Sequence, residues 1–400
     1  MMSNNLNPPS NGNPSISPDT GIPEFRSLQE LIDKVSGKHV HSMDHNEDSG
    51  LAHPVHYPFL AIVGQYEMKM ALTFALINPQ IGGVLLLGPR GTGKSTAIQG
   101  LTDLLPENNV SRCFYGCLEE DVESEGLEAV CPDCAEKYAK GVSLSTKEKA
   151  HLVELPLNAK LENVIGGLDK RQLSHNRMRL KRGILSMADQ NILYIDEINL
   201  LGDEIINAIL DAAAMGRYTI RRGGVSATYK SRFILIGSMN PDEGNLKPQI
   251  LDRFGLRVIT RGLKDDNDRY EAYLNSVQYR KNPLHFQQLY EQETFIAKNE
   301  LEEVRREISK VDLPVEIAKI GIKIIQDLNI ESLRTEIALF EAAKAHAAAN
   351  KNVVVSMADL LSVAPMALRL RSTNLNSSFF EQQANNDKRI VDLLTRINTG

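Results

Sequence analysis

The sequence predicts an α/β nucleotide-binding domain on a parallel sheet, followed by an all-helical domain. Three observations carry that expectation. The first is a strand–loop–helix unit. The apolar run Gly83-Val84-Leu85-Leu86-Leu87 feeds Gly88-Pro89-Arg90-Gly91-Thr92-Gly93-Lys94-Ser95, and Thr96-Ala97-Ile98 opens a helix. The loop fits G-x-x-x-x-G-K-[ST] at every fixed position. The second is Ile192-Leu193-Tyr194-Ile195-Asp196-Glu197, an apolar strand ending in two carboxylates about a hundred residues later. The third is the almost unbroken helical patterning from about Leu263 onward.

Each element follows in chain order. Residues 1–57 read as a disordered extension, because the first part is rich in Asn, Pro, Ser and Gly and carries little periodic apolar character. A short amphipathic piece spans Leu28 to Val35. His39, His41, His45, His53 and His56 follow without a regular ligand spacing and read as a solvated linker. Order begins near Pro58, with a helix expected from Glu67 to about Asn78 before Pro79.

The phosphate loop comes next. At a strand-to-helix junction, unpaired backbone N–H groups and the positive end of the helix dipole face an anion. Gly88, Gly91 and Gly93 let the backbone come close to phosphates. Lys94 would reach the β- and γ-phosphates, and the Ser95 hydroxyl would ligate Mg²⁺. The chain is expected to bind a nucleoside triphosphate, with ATP and Mg²⁺ as ligands.

All four cysteines fall within a segment spanning 111–150, as Cys113-x3-Cys117 and Cys131-x2-Cys134. Paired thiolates on tight turns are how a tetrahedral Zn²⁺ site is assembled. Unligated thiols and a redox switch are the other readings, and none of the three is catalytic. Beyond it, Val153 to Leu157 and Ile192 to Ile195 read as strands. Asp196 would hold Mg²⁺ and Glu197 would polarise the attacking water. A helix is expected from Asn199 to Met215. Tyr218 to Lys230 reads as a β-hairpin turning at Gly223-Gly224. Phe233 to Met239 reads as a buried strand with Asn240 at its tip, placed to orient water. Helices are expected at Glu293 to Ser309, Pro314 to Leu328, Ser332 to Ala349 and Phe379 to Ile397. Arg334, a cation in a first helical turn, opposes the helix dipole and so calls for another partner.

The chain has 400 residues, 42% hydrophobic and 24% charged, with a net charge of −6. That balance argues against nucleic acid as the main partner. No apolar run approaches the roughly 20 residues of a membrane span, and the N-terminus lacks the pattern of a secretory signal. A cytoplasmic protein is expected.

Read together, these stretches resemble the AAA+ ATPases and, among them, the small ATPase subunit of magnesium chelatase. The residues that carry the resemblance include Ala61-Ile62-Val63-Gly64-Gln65, Val153-Glu154-Leu155-Pro156-Leu157, Tyr194-Ile195-Asp196-Glu197-Ile198-Asn199, Met239-Asn240-Pro241, Leu251-Asp252-Arg253-Phe254-Gly255 and Val363-Ala364-Pro365-Met366-Ala367-Leu368-Arg369. The likeness runs over residues 58 to 372. It implies an AAA+ domain at 58–262, a helical lid at 263–372 and a C-terminal helix or tail at 373–400. It also implies a homo-oligomeric ring with nucleotide between neighbouring subunits, Val63 and Gly64 beside the nucleotide with loop residues 88–96, and Asn240 as the sensor asparagine. Arg253 matches the arginine finger directed at the next subunit's γ-phosphate. Arg334 matches the lid's sensor arginine, which contacts the nucleotide of its own subunit. The implied partners are a second AAA+ chelatase subunit and a large porphyrin-binding subunit, the implied task Mg²⁺ insertion into protoporphyrin IX. The other functional readings are a related cobalt-chelatase- or MoxR-like remodelling motor, a nucleotide-gated assembly module, and a DNA-remodelling ATPase.

Overall fold

A computed structural model describes residues 55–168, 180–222, 225–244 and 248–371, together with 388 and 390–392. The expected features at residues 1–54 lie outside the described residues, and so do the hairpin's Gly223-Gly224 turn and most of the helix expected from Phe379 to Ile397.

Short branched-aliphatic runs make the sheet. The chain passes through α1 (Tyr66–Ile77) into β1 (Val84–Leu87), the phosphate loop and α2 (Lys94–Gly100). The strands β2 (Glu107–Ser111) and β3 (Ser145–Lys149) pair antiparallel, with α3 (Glu119–Glu125) and α4 (Pro132–Ala139) between them in sequence. Then follow β4 (Leu152–Leu155), the antiparallel pair β5 (Gly166–Leu168) and β6 (Leu180–Arg182), β7 (Ile192–Ile195) and α5 (Asp203–Met215). The hairpin strands β8 (Arg217–Arg222) and β9 (Val225–Lys230) pair from Arg217↔Lys230 to Arg222↔Val225. The strands β10 (Ile234–Met239) and β11 (Leu256–Ile259) complete the α/β part.

Five strands form one sheet in the order β11-β1-β10-β7-β4, and each neighbouring pair is parallel. From β1 the chain crosses to the far edge and returns through β7 and β10, and β11 then joins on the other side of β1. Ligands of such sheets sit outside the carboxyl ends of the strands, where the order reverses. The phosphate loop leaves β1 at that point.

Alternate strand residues face opposite ways, and this divides the interior. Val84, Leu86, Ile192, Tyr194 and Ile236 join a cluster with α1 that continues into the helical part. Leu85, Leu87, Leu193, Ile195 and Leu235 pack with Ile206, Ile209 and Leu210 of α5 and with Phe254.

The C-terminal helices are α6 (Asp266–Lys281), α7 (Pro283–Leu289), α8 (Glu291–Glu307), α9 (Val315–Asp327), α10 (Leu333–Ala349) and α11 (Met357–Leu368). Small residues on α10, with Ala338, Ala342, Ala343 and Ala345 buried, let α11 approach closely. Buried arginines tie the end of α11 to the sheet. Arg257 Nη1 donates to the Arg369 carbonyl (2.8 Å), Arg369 Nη1 donates to the Arg257 carbonyl (3.0 Å), and Arg371 reaches Asp252 (3.2 Å). Among the described residues, no helix is long and apolar enough to cross a membrane.

Candidate active site

The phosphate loop bends back on itself because Gly91 (φ +79°) and Gly93 (φ +85°) lie in the left-handed region that favours glycine. Gly93 is the residue that caps α2, so the first N–H groups of that helix open toward the loop. Lys94 donates to the Gly88 carbonyl (2.7 Å) and the Pro89 carbonyl (2.8 Å), and the Thr92 hydroxyl donates to Pro89 as well (3.0 Å). Burial lowers the Lys94 pKa against the opposing pull of Asp196, Glu197 and Glu243.

At the carboxyl ends of β7 and β10 the acidic residues gather. Ser238 Oγ donates to Asp196 and accepts the Glu197 backbone N–H (3.1 Å). Glu197 sits at φ +48°, a conformation non-glycine residues seldom take and one that clusters at functional sites. Arg90 spans from Glu197 (3.0 Å) to Glu243 (2.9 Å), and Asn240 Nδ2 donates to Glu243 (2.9 Å). Tyr194 donates to Ser95 Oγ (3.2 Å), and burial raises its pKa. Arg90, Gly91, Gly93, Lys94, Ser95, Thr96, Asp196, Glu197, Ser238 and Asn240 line a cleft of about 400 Å³.

A second cleft, of about 640 Å³, lies on the other side of the same loop and shares Gly91, Gly93 and Thr96 with the first. Its far wall brings Tyr57, Ile62, Val63 and Gln65 together with Arg269 and Tyr279 of α6. Tyr57 donates to the Ala61 carbonyl (3.1 Å), and burial pushes its pKa up to about 12. Val63 lines this cleft. Gly64, at φ +61°, does not; Leu263 packs against it instead, with its Cδ2 2.7 Å from where a Cβ would sit. Tyrosine and aliphatic side chains contribute to one cleft and the carboxylates of Asp196 and Glu197 to the other, with the loop between them. That division suits a nucleoside on one side and terminal phosphates with a hard cation on the other. The donor set fits magnesium, since Asp196 and Ser95 offer oxygen ligands. Glu243 Oε2 is buried without a hydrogen-bond partner among the described residues.

A family profile described as an MCM P-loop domain matches residues 165–270, and one described as an AAA lid domain matches residues 321–393. The magnesium-chelatase subunit ChlI homolog of Methanocaldococcus jannaschii is 42% identical over 341 residues, 83% of this chain and 92% of that protein. The chain belongs to the magnesium-chelatase ChlI family of AAA+ ATPases. The magnesium-chelatase 38 kDa subunit of Acidiphilium rubrum is 38% identical over 79% of this chain and 90% of that protein. A solved chain from Cytophaga hutchinsonii is 19% identical, covers 84% of this chain and 91% of its own length, and superimposes with a TM-score of 0.55, a likeness of fold alone. As a ChlI-family ATPase subunit the chain binds ATP with Mg²⁺.

Two arginines singled out by their resemblance to this family are not among the residues lining either cleft. Arg253 donates to the Leu210 carbonyl (3.2 Å) and lies 3.6 Å from Asp211. Arg334 pairs with Asp252 (2.9 Å), which supplies the partner its place in the first turn of α10 called for. Ser238, Tyr194 and Glu243, and on the other side Tyr57, Arg269 and Tyr279, belong to the site without having been singled out. The four cysteines form a separate group.

Proposed function

We propose that this chain hydrolyses ATP as one subunit of a homo-oligomeric ring. The ring drives a large porphyrin-binding subunit, through a second AAA+ subunit, to insert Mg²⁺ into protoporphyrin IX. The proposed setting is the cytoplasm. The carrying observation is the pair of clefts meeting at the phosphate loop, with Asp196, Glu197 and Asn240 on the terminal-phosphate side, in a ChlI-family chain.

On binding MgATP, Lys94 exchanges the carbonyls of Gly88 and Pro89 for the β- and γ-phosphates. Ser95 and Asp196 hold the Mg²⁺ of the substrate. Arg90 leaves Glu197, which then takes a proton from the attacking water while Asn240 orients that water. Arg253 completes the site of the neighbouring subunit. A finger of this kind contributes on the order of 10³–10⁵ in rate. Arg334, paired with Asp252, serves as the lid's sensor arginine and turns to the nucleotide of its own subunit.

The test is reconstitution. The purified chain is assayed for phosphate release alone and with the two partner subunits, while magnesium protoporphyrin is followed by fluorescence. ATP-dependent product formation supports the reading. ATP hydrolysis without product at any partner ratio moves the chain to a remodelling motor, and no hydrolysis in any combination overturns the enzymatic reading.

A further inference from the structure

The four cysteines take no part in the chemistry above, yet they converge. Cys113 and Cys117 lie on the turn after β2, Cys131 caps the N-terminus of α4, and Cys134 lies in its first turn. All four sulfurs lie within 4.8 Å of one another, and Cys113 Sγ is 3.6 Å from Cys131 Sγ. A disulfide needs about 2.05 Å between sulfurs. Four sulfurs about 2.3 Å from a central tetrahedral ion stand about 3.8 Å apart. The observed spacing is that of ligands, and all four thiols are free.

The backbone is arranged to receive thiolates. Tyr115 N–H points at Cys113 Sγ (3.3 Å) and Cys131 N–H at Cys117 Sγ (3.4 Å). The positive end of α4 faces the same group. Gly116, at φ +84°, makes the turn that brings Cys117 round. Little apolar surface holds the group together, because its core is Cys117, Cys134 and Leu144, with Val130 and Tyr138 packed against it. So small a core needs a further tie.

We propose that Cys113, Cys117, Cys131 and Cys134 bind one Zn²⁺, and that this ion fixes the 113–117 turn against the base of the β8–β9 hairpin. Binding displaces the thiol protons to solvent and changes no oxidation state. A closed set of four thiolates leaves no open position on the ion, so the site is structural.

The turn is joined to the hairpin at several points. The Tyr115 carbonyl accepts from Lys230 N–H (2.9 Å), and the Gly116 carbonyl accepts from Arg232 Nη2 (2.8 Å). The rings of Phe114 and Tyr115 lie 5.7 and 5.6 Å from that of Tyr229. Just beyond the turn, buried Asp121 accepts from Lys230 Nζ (2.9 Å) and Arg232 Nη1 (3.0 Å). Loss of the ion frees the turn and, through these contacts, the hairpin base.

The full-length protein, purified under reducing conditions without added metal, is analysed for metal content and thiol state. About one zinc per chain is expected, with a tetrahedral thiolate spectrum when Co²⁺ replaces it. Iron in its place, no metal with four free thiols, or a disulfide in the freshly isolated protein would each overturn the assignment. Hydrogen exchange before and after chelation tests the second half. Faster exchange is expected at 113–117 and 217–232 and unchanged exchange at 84–100, whereas an unaltered hairpin refutes the coupling. Cys131→Ser with Cys134→Ser should lose the zinc. If that variant does not fold, the wild-type metal content and cobalt spectrum still decide the question.

Discussion

Glu197→Gln separates the binding of ATP from its hydrolysis. The substitution keeps the shape of the side chain and an oxygen able to accept from Arg90. The Ser238 bond is to the backbone N–H of residue 197, so it survives. Lys94 and the loop are untouched, and nucleotide affinity should stay within about threefold, under 1 kcal/mol. What disappears is proton acceptance from water. A positioned general base contributes about 10²–10⁴ in rate, or about 2.7–5.4 kcal/mol of barrier at 1.36 kcal/mol per tenfold. Steady-state phosphate release gives the rate, and titration with a fluorescent ATP analogue gives the affinity. Turnover within tenfold of wild type would refute the role of Glu197. A parallel collapse of affinity would mean that Glu197 holds the ground state rather than the reacting water.

Lys94→Ala removes the loop's ammonium and should weaken ATP binding about 10- to 150-fold, at 1.5–3 kcal/mol for a charged hydrogen bond, as read by the same titration. Arg253→Ala should leave each subunit able to bind nucleotide but lower hydrolysis by about 10³ or more. Mixing it with Glu197→Gln should restore part of the activity, and no recovery at any ratio counts against action across a subunit boundary. Burial pushes the Asp252 carboxyl up, but the Ser332 hydrogen bond and the charges of Arg334 and Arg371 outweigh it and hold its pKa below the ordinary value. A depressed carboxylate adds stability above its unfolded value of about 3.9 and loses it as pH falls through the folded value. Thermal unfolding should therefore drop below about pH 4, and Asp252→Asn should lower the melting temperature at pH 7 while flattening that acid limb.

The sequence made the reactive core legible because its chemistry demands particular residue types at fixed spacing. The loop, Asp196-Glu197 and the strand-end Asn240 all fall in one cleft or at its margin. On the nucleoside side Val63 was expected and lines the cleft, but its aromatic wall was not legible. Tyr57 and Tyr279 meet only after the helical part packs back onto the sheet, and no local pattern joins residues so far apart in the chain. Ser238 and Glu243 were missed because a lone serine or glutamate carries no spacing signal. The strand β11 was hidden by its length and by Arg257, a cation that is buried only because the Leu251 and Arg369 carbonyls accept from it. The β2–β3 pair escaped because Glu107 to Ser111 and Ser145 to Lys149 lack the apolar alternation of a half-buried strand. The Arg334 partner was foreseeable as a need, from the helix dipole, but its identity came only from the fold.

The segment from Lys230 to Asn240 has a consequence of phase. The hairpin ends at Lys230, and after only three intervening residues the chain enters β10, at whose far end Ser238 holds Asp196 and Glu197. Side chains along a strand alternate, so Leu235 and Met239 point into one cluster while Ile236 and Ser238 point the other way. The register of β10 against its neighbours therefore decides which side chain faces Asp196. A shift by one residue would turn Ser238 away from Asp196 and a methionine toward it. The register of β10 is thus what keeps the serine, and not the neighbouring thioether, on the two carboxylate residues.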